Sequence, residues 1–284
     1  MKAPAFAYAR PRQLAEAFAL FEHHGEQARI LAGGQSLIAM LNLRVSAPGL
    51  LVDITGIDGM NEIAVSGGKL HIGALVKHRE IEHSATIAEH CPLLAQAAPH
   101  VAHVAIRNSG TFGGSIALAD PAAEWPACCL ALDADIRIAS RAGERRVAAR
   151  EFFKGLYATD LQPGEVITGI EIPLLPVFRS AFLELSRRHG DYATVGVAAL
   201  ARIEDGRLHD IRLAYLGAGS TPLLARHAMQ AAEGKPPPDA AVHTGLRAAL
   251  ERDLSPMADL ESGIETKLHL ASVLTGRALA ALAG

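Results

Sequence analysis

The residue patterning predicts an α+β fold in two parts, and three observations carry it. Strand-like and helix-like runs alternate over the first fifty or so residues, and the short runs on either side of Gly67-Gly68 have hairpin chemistry. Between about 181 and 217, three strand-like runs follow one another, with an Asp205-Gly206 turn between the last two. Helical patterns then close the chain, and strands followed by helices argue for segregated α and β layers.

Taken in order, residues 11–24 place Leu14, Ala17, Phe18 and Phe21 on one helical face, and His23-His24 before Gly25 marks the C-terminal end. Ile30–Ala32 reads as a buried strand, broken by Gly33-Gly34. Ser36 stands where it would cap a helix carrying Leu37, Ile38, Leu41 and Val45. Leu50–Ile54 is another buried strand, which completes a small β-α-β unit. Glu62–Val65 and Lys69–Gly73 form the hairpin. Helices are expected over about 79–88 and 92–103, with a short one over 126–131. Asp135–Ser140 and Arg145–Val147 read as strands around Gly143, and Glu165–Ile172 as a strand closed by Pro173 and Pro176. The last part begins near Val177. Residues 181–188, 194–204 and 207–217 form an antiparallel meander. Thr221 and Pro222 open a helix to Ala232, Lys235-Pro236-Pro237-Pro238 is a linker, and helices over about 239–252 and 262–283 finish the chain.

Composition narrows the function. The 284 residues, half apolar and one fifth charged, suit a soluble globular protein. A net charge of −3 offers no basic field for nucleic acid. Apolar runs are broken well before membrane-spanning length, which leaves no transmembrane segment, and residues 1–6 lack the apolar core of a secretory signal. A cytoplasmic protein is expected. Cys91, Cys128 and Cys129 match no disulfide framework and no zinc or iron–sulfur spacing, so they read as small buried apolar residues. Any iron–sulfur donor of electrons therefore belongs to another chain.

Two glycine loops carry the chemistry. The stretch Gly110-Thr111-Phe112-Gly113-Gly114-Ser115 holds three glycines in five positions. Such a run answers a backbone need, either positive φ or close approach to a ligand. Free N–H groups beside the Thr111 and Ser115 hydroxyls would make an anion nest, although a tight turn explains the run equally well. The loop Ala32-Gly33-Gly34-Gln35-Ser36 lies between a strand and a helix start, an arrangement that holds phosphate. Neither loop is G-x-G-x-x-G, and no P-loop motif occurs. Two separate anion loops suit a long pyrophosphate cofactor gripped from two sides.

L-A-G-G-Q-S-L and R-N-S-G-T-F-G-G-S-I-A-L-A-D-P-A-A-E-W-P-A resemble the paired FAD motifs of the molybdenum hydroxylases. More narrowly, the chain resembles the flavoprotein (medium) subunit of the aerobic carbon monoxide dehydrogenase type, from F-A-Y-A-R-P to S-V-L-T-G-R-A-L. The resemblance implies a two-part PCMH-type FAD-binding domain over 1–176, with a small β-α-β unit and a larger mixed α/β subdomain. A C-terminal domain of an antiparallel sheet with helices follows over 177–284. It implies that Ala32, Gly33, Gly34, Gln35 and Ser36 wrap the pyrophosphate and that Thr111, Phe112, Gly113, Gly114 and Ser115 add contacts nearer the flavin. Glu124 matches an acidic residue that reaches the cofactor, with Asp120 a nearby candidate. Ile167 matches an apolar contact to the isoalloxazine, and Tyr192 a loop over the ring. By their own patterns, Asp120 reads as a helix N-cap, Tyr192 as a strand-edge aromatic and Trp125 as packing.

The chain departs from the family at three places, with Ser115 for Asn, Leu118 for His and Glu184 for Lys. A carboxylate at 184 near the flavin would disfavour its anionic reduced form and lower its potential. The resemblance further implies an electron-transfer oxidoreductase subunit in a dimer of heterotrimers. A large molybdenum-cofactor subunit oxidises substrate, and a small subunit with [2Fe–2S] clusters supplies FAD with electrons for a final acceptor. The alternatives are a self-contained FAD oxidoreductase and a structural subunit with a degenerate flavin site.

Overall fold

A computed structural model gives the fold and describes residues 2–238 and 244–283. The first sheet is parallel. β1 (Ala7–Ala9), α1 (Leu14–His24), β2 (Ala28–Leu31), α2 (Leu37–Asn42) and β3 (Leu50–Asp53) give the strand order β1-β3-β2. α1 stops where Gly25 takes φ +51°, as the His-His-Gly ending anticipates. β1 is absent from the sequence reading, because three residues are too few to show a period. It is fixed by parallel pairing of Ala7–Ala9 with Leu50–Val52.

The second sheet is antiparallel. β4 (Ile63–Ser66) and β5 (Lys69–Gly73) form the expected hairpin, with Gly67 and Gly68 both at positive φ. A run of short helices follows: α3 (His78–His83), α4 (Ala85–His90), α5 (Pro92–Ala97), α6 (Val104–Arg107), α7 (Phe112–Leu118) and α8 (Glu124–Ala131). Then come β6 (Asp135–Ser140), β7 (Gly143–Ala148), α9 (Ala149–Phe152), a ribbon of β8 (Phe153–Gly155) and β9 (Ala158–Thr159), and β10 (Val166–Pro173). β10 returns to the middle, so the order is β4-β5-β10-β6-β7.

The meander is β11 (Arg179–Ser186), β12 (Ala193–Glu204) and β13 (Arg207–Leu216), extended by β14 (Leu223–Leu224). α10 (Arg226–Ala232), α11 (Thr244–Asp253) and α12 (Ile264–Ala281) follow it. Successive residues of β12 face opposite ways. Val195, Val197, Ala199 and Ala201 pack with the C-terminal helices, whereas Ala198 and Leu200 join the core that holds Trp125 and Phe112. One sheet thus closes two cores.

The expected helices are interrupted where local chemistry offers the backbone something else. The helix over 79–88 is two helices, because the Ser84 hydroxyl accepts from Ile87 N and starts α4 afresh. The helix over 92–103 ends at Ala97, near Pro99, and Arg107 then gathers the carbonyls of Pro99, Val101 and Ala102. Ser36 already has helical φ and ψ and makes no cap hydrogen bond. Thr221 and Pro222 do not open a helix, since Leu223 and Leu224 first pair with Tyr215 and Ala214. The expected start of the helix near 239 lies outside the described residues.

Candidate functional site

The two glycine loops meet. A Cβ built on Gly33 would lie 2.3 Å from Ser109 O and 2.7 Å from Gly110 Cα. Only glycine fits this contact between two backbones, even though Gly33 does not have positive φ. Gly34 does, at +72°, and turns the chain out of β2 into α2. In this first loop the backbone N–H groups of Gly33, Gly34, Gln35 and Ser36 donate to no atom among the described residues. The Gln35 side chain instead donates to Gly33 O at 3.0 Å, which holds the turn closed. Backbone amides left without protein partners are what an anion cradle requires.

The second loop is built in the opposite way, and the anion nest read from its glycines is corrected here. Phe112 N donates to Val76 O at 2.8 Å, Gly113 N to Ala74 O at 2.9 Å and Ser115 N to Thr111 O at 3.1 Å. Thr111 is the N-cap of α7, and its hydroxyl accepts from Gly114 N at 3.2 Å. Those four amides are engaged within the protein. A Cβ on Gly113 would meet Ala74 Cβ at 2.5 Å, so this glycine serves close packing. Phe112 is fully buried edge-on against Trp125. Gly114 remains exposed and Ser115 half-buried on the open side.

From this seam a line of contacts runs to the acidic candidates. Trp125 Nε1–H donates to His78 Nδ1 at 3.0 Å, and the His78 ring lies against Gly110. Glu124, next to Trp125, starts α8 and is buried. Burial, then the neighbouring charges of Glu184 and Asp120, push its carboxyl up to about 8. Asp120 does not cap that helix. Its carboxylate accepts from Ala122 N in a local turn and from the Tyr157 hydroxyl at 3.3 Å, and α8 begins four residues later. Tyr192, 70% exposed, lies within electrostatic reach of Asp120 and Glu124. Ile167 is buried on β10 opposite Ile138. The carbonyl of the adjacent Thr168 holds Ala74, the residue beneath Gly113.

The glycine loops, Asp120 and Glu124 are thus joined by short links, with Ile167 behind the second loop and the exposed Tyr192 outside this chain of contacts. His78 and Tyr157 join the group without having been picked out from the sequence. His78 is one histidine among 13, and Tyr157 sits at φ +53° in a turn that no motif marks. Glu184 lies on β11 with only 3% of its side chain exposed, 3.4 Å from His100 Nδ1, and its Oε2 is enclosed without a partner among the described residues. Its carboxyl is enclosed in a wall of the fold rather than open to solvent. The three cysteines are free and buried, and burial raises all three thiols. Among the described residues no cluster of His, Cys, Asp and Glu could hold a metal ion, and no helix is long and apolar enough to cross a membrane.

Residues 4–175 match the FAD-binding domain of molybdopterin dehydrogenases, and residues 180–282 match the C-terminal domain of the carbon monoxide dehydrogenase flavoprotein. The chain belongs to the flavoprotein subunits of the molybdopterin dehydrogenases. This flavoprotein subunit is similar to caffeine dehydrogenase subunit beta from Pseudomonas sp. (strain CBB1). The two are 36% identical over 288 residues, covering 99% of this chain and 95% of that one. The structure of carbon monoxide dehydrogenase from Hydrogenophaga pseudoflava superposes with a TM-score of 0.95 at 35% identity, over 99% of this chain and 98% of that one. Quinoline 2-oxidoreductase from Pseudomonas putida 86 gives 0.93 at 38% identity, over 100% and 98%. The flavoprotein subunit is part of an oxidoreductase with FAD as its cofactor. Its residues fit that group: the first loop presents four backbone amides that are unengaged among the described residues, at the point where it meets the second loop.

Proposed function

We propose that this chain is the electron-transfer subunit of a heterotrimeric molybdenum hydroxylase. The contact between the two glycine loops, one with free amides and the other with its amides closed, carries the reading. Bound FAD supplies one- and two-electron redox chemistry. Gly33, Gly34, Gln35 and Ser36 hold its pyrophosphate through backbone N–H groups, with Ala32 leading the chain into the loop. Thr111, Phe112, Gly113, Gly114 and Ser115 form the rigid opposite wall, in which Gly114 and Ser115 face the cofactor and the others fix their position. Asp120, Glu124 and Tyr192 would contact the cofactor beyond the second loop, with Ile167 packed behind it. Glu124 keeps its proton near neutral pH and so adds no charge there.

Electrons arrive singly from [2Fe–2S] clusters on a small subunit and leave to a final acceptor. Substrate is oxidised at a molybdenum cofactor on a large subunit, and the assembly is a cytoplasmic dimer of heterotrimers. We place the boundary between the FAD-binding and C-terminal domains at 176/177, just beyond β10. Relatives named for substrates as unlike as caffeine, carbon monoxide and quinoline share this chain's fold, which supports a substrate choice made on another subunit.

The test is the visible spectrum of natively purified protein, with mass spectrometry of the released cofactor and co-purifying chains. A flavin spectrum, FAD and two partner chains are expected. FAD with turnover by the lone chain would show a self-contained oxidoreductase. No flavin after FAD is added would show a structural subunit with a degenerate site.

A further inference from the structure

His78 is buried, with 5% of its surface exposed, and its ring is held on both sides. Indole Nε1–H can only donate, so the hydrogen bond from Trp125 makes His78 Nδ1 an acceptor. The ring proton of neutral His78 must then sit on Nε2. On the other side, a Cβ built on Gly110 would meet both Nε2 and Cδ2 at 2.7 Å, so this edge of the ring lies against Gly110. The backbone repeats the contact, with His78 N donating to Gly110 O at 3.0 Å. Gly110 is also the residue against which Gly33 packs. The Nε2 edge therefore lies beside the seam of the two loops.

Nε2 donates to no atom among the described residues, yet the one enclosed, unpartnered side-chain polar atom among them is Glu184 Oε2. Nε2–H is therefore not fully enclosed, and it is a donor left free for an acceptor from outside the described residues. Burial, and then the Arg107 charge, hold the imidazole down to about 4, so the donor is neutral throughout the physiological range.

Resting on the reading that the seam holds FAD, we propose that His78 is a ligand-binding residue: its Nε2–H, fixed in one tautomer by Trp125, donates to an acceptor atom of the bound dinucleotide. A neutral donor fixes position without adding a charge beside the redox group. The geometry gives Trp125 its purpose as well. It is a packing residue whose one polar atom selects the tautomer of its neighbour.

The test uses the full chain, stripped of flavin and titrated with FAD by fluorescence quenching. His78→Phe, which keeps a ring and removes both nitrogens, is expected to raise the Kd about tenfold, equal to about 1.4 kcal/mol. His78→Gln, which can accept from Trp125 and donate onward, is expected to stay within about threefold of the wild type. In parallel, nitrogen NMR of histidine-labelled wild-type protein should show the Nε2–H tautomer, with its signal shifting when FAD is added. A His78→Phe chain that binds FAD like the wild type, or an Nε2 signal that ignores FAD while the wild type binds it, overturns the proposal. If His78→Phe does not fold, the NMR response decides alone. If wild-type protein binds no FAD, the flavin reading falls first and the proposal falls with it.

Discussion

Replacing Gly33 by alanine tests the meeting of the two loops most directly. The new Cβ would stand 2.3 Å from Ser109 O, 2.7 Å from Gly110 Cα and 3.0 Å from Ser109 C, and all three are backbone atoms. No side chain can swing away, so the loops must part by roughly 1 Å to restore ordinary contact. Overpacking of this kind costs about 1–3 kcal/mol. Parting is easier in the empty protein than in one whose loops close on a ligand, so the cost should fall chiefly on binding. Converted at about 1.4 kcal/mol per tenfold, the FAD Kd should rise about five- to 150-fold. Any share felt by the empty protein lowers its melting temperature by about 2–4 °C per kcal/mol. The control is Gly68→Ala, in the β4–β5 turn. Gly68, unlike Gly33, has positive φ, +74°, and a Cβ there meets nothing within 4 Å. It should lose about 1–2 kcal/mol of stability through backbone strain and keep its FAD affinity. Isothermal titration and calorimetry on both variants separate the effects. Wild-type FAD affinity in Gly33→Ala would refute the reasoning, because the seam would then be soft.

Two further variants probe the surrounding frame. Glu124 has a folded-state pKa raised above its unfolded value, so its contribution to stability is fully present below about 4.5 and is lost as pH rises through about 8. Glu124→Gln stays neutral at every pH. The stability difference between wild type and variant should therefore drift against the wild type between pH 5 and 8, at up to about 1.4 kcal/mol per unit, and parallel denaturation curves would exclude the shifted carboxyl. Thr111→Ala removes the cap on α7 and should cost about 1 kcal/mol by urea denaturation, whereas Thr111→Ser should restore most of it.

The sequence made legible those features that rest on local chemistry. Gly67-Gly68 and Asp205-Gly206 mark turns that need positive φ, and both turns are present. The apolar runs of β3 and β12 are nearly continuous because those strands are covered on both faces. What escaped was settled by tertiary partners. Leu223 and Leu224 have no strand period, yet β13 offers them an edge. The glycines of the second loop look like an anion nest until their amides are traced to Val76 and Ala74, thirty-odd residues earlier. Tyr157 and Asp120 are 37 residues apart, and only the fold brings the hydroxyl to the carboxylate.

The meander sheet, with one face in each core, bears on how the molecule holds together over time. In a protein of two separable beads, either could melt while the other waited. Here the loss of α12 would leave Val195, Val197 and Ala199 bare, while the loss of the flavin-side layers would strip Ala198 and Leu200 of the same strand. Neither half has a cheap way to open alone, so local breathing in the C-terminal helices is felt, through one shared strand, by the wall that supports Trp125. The two modules share one strand, and a single unfolding transition by calorimetry is the expected outcome.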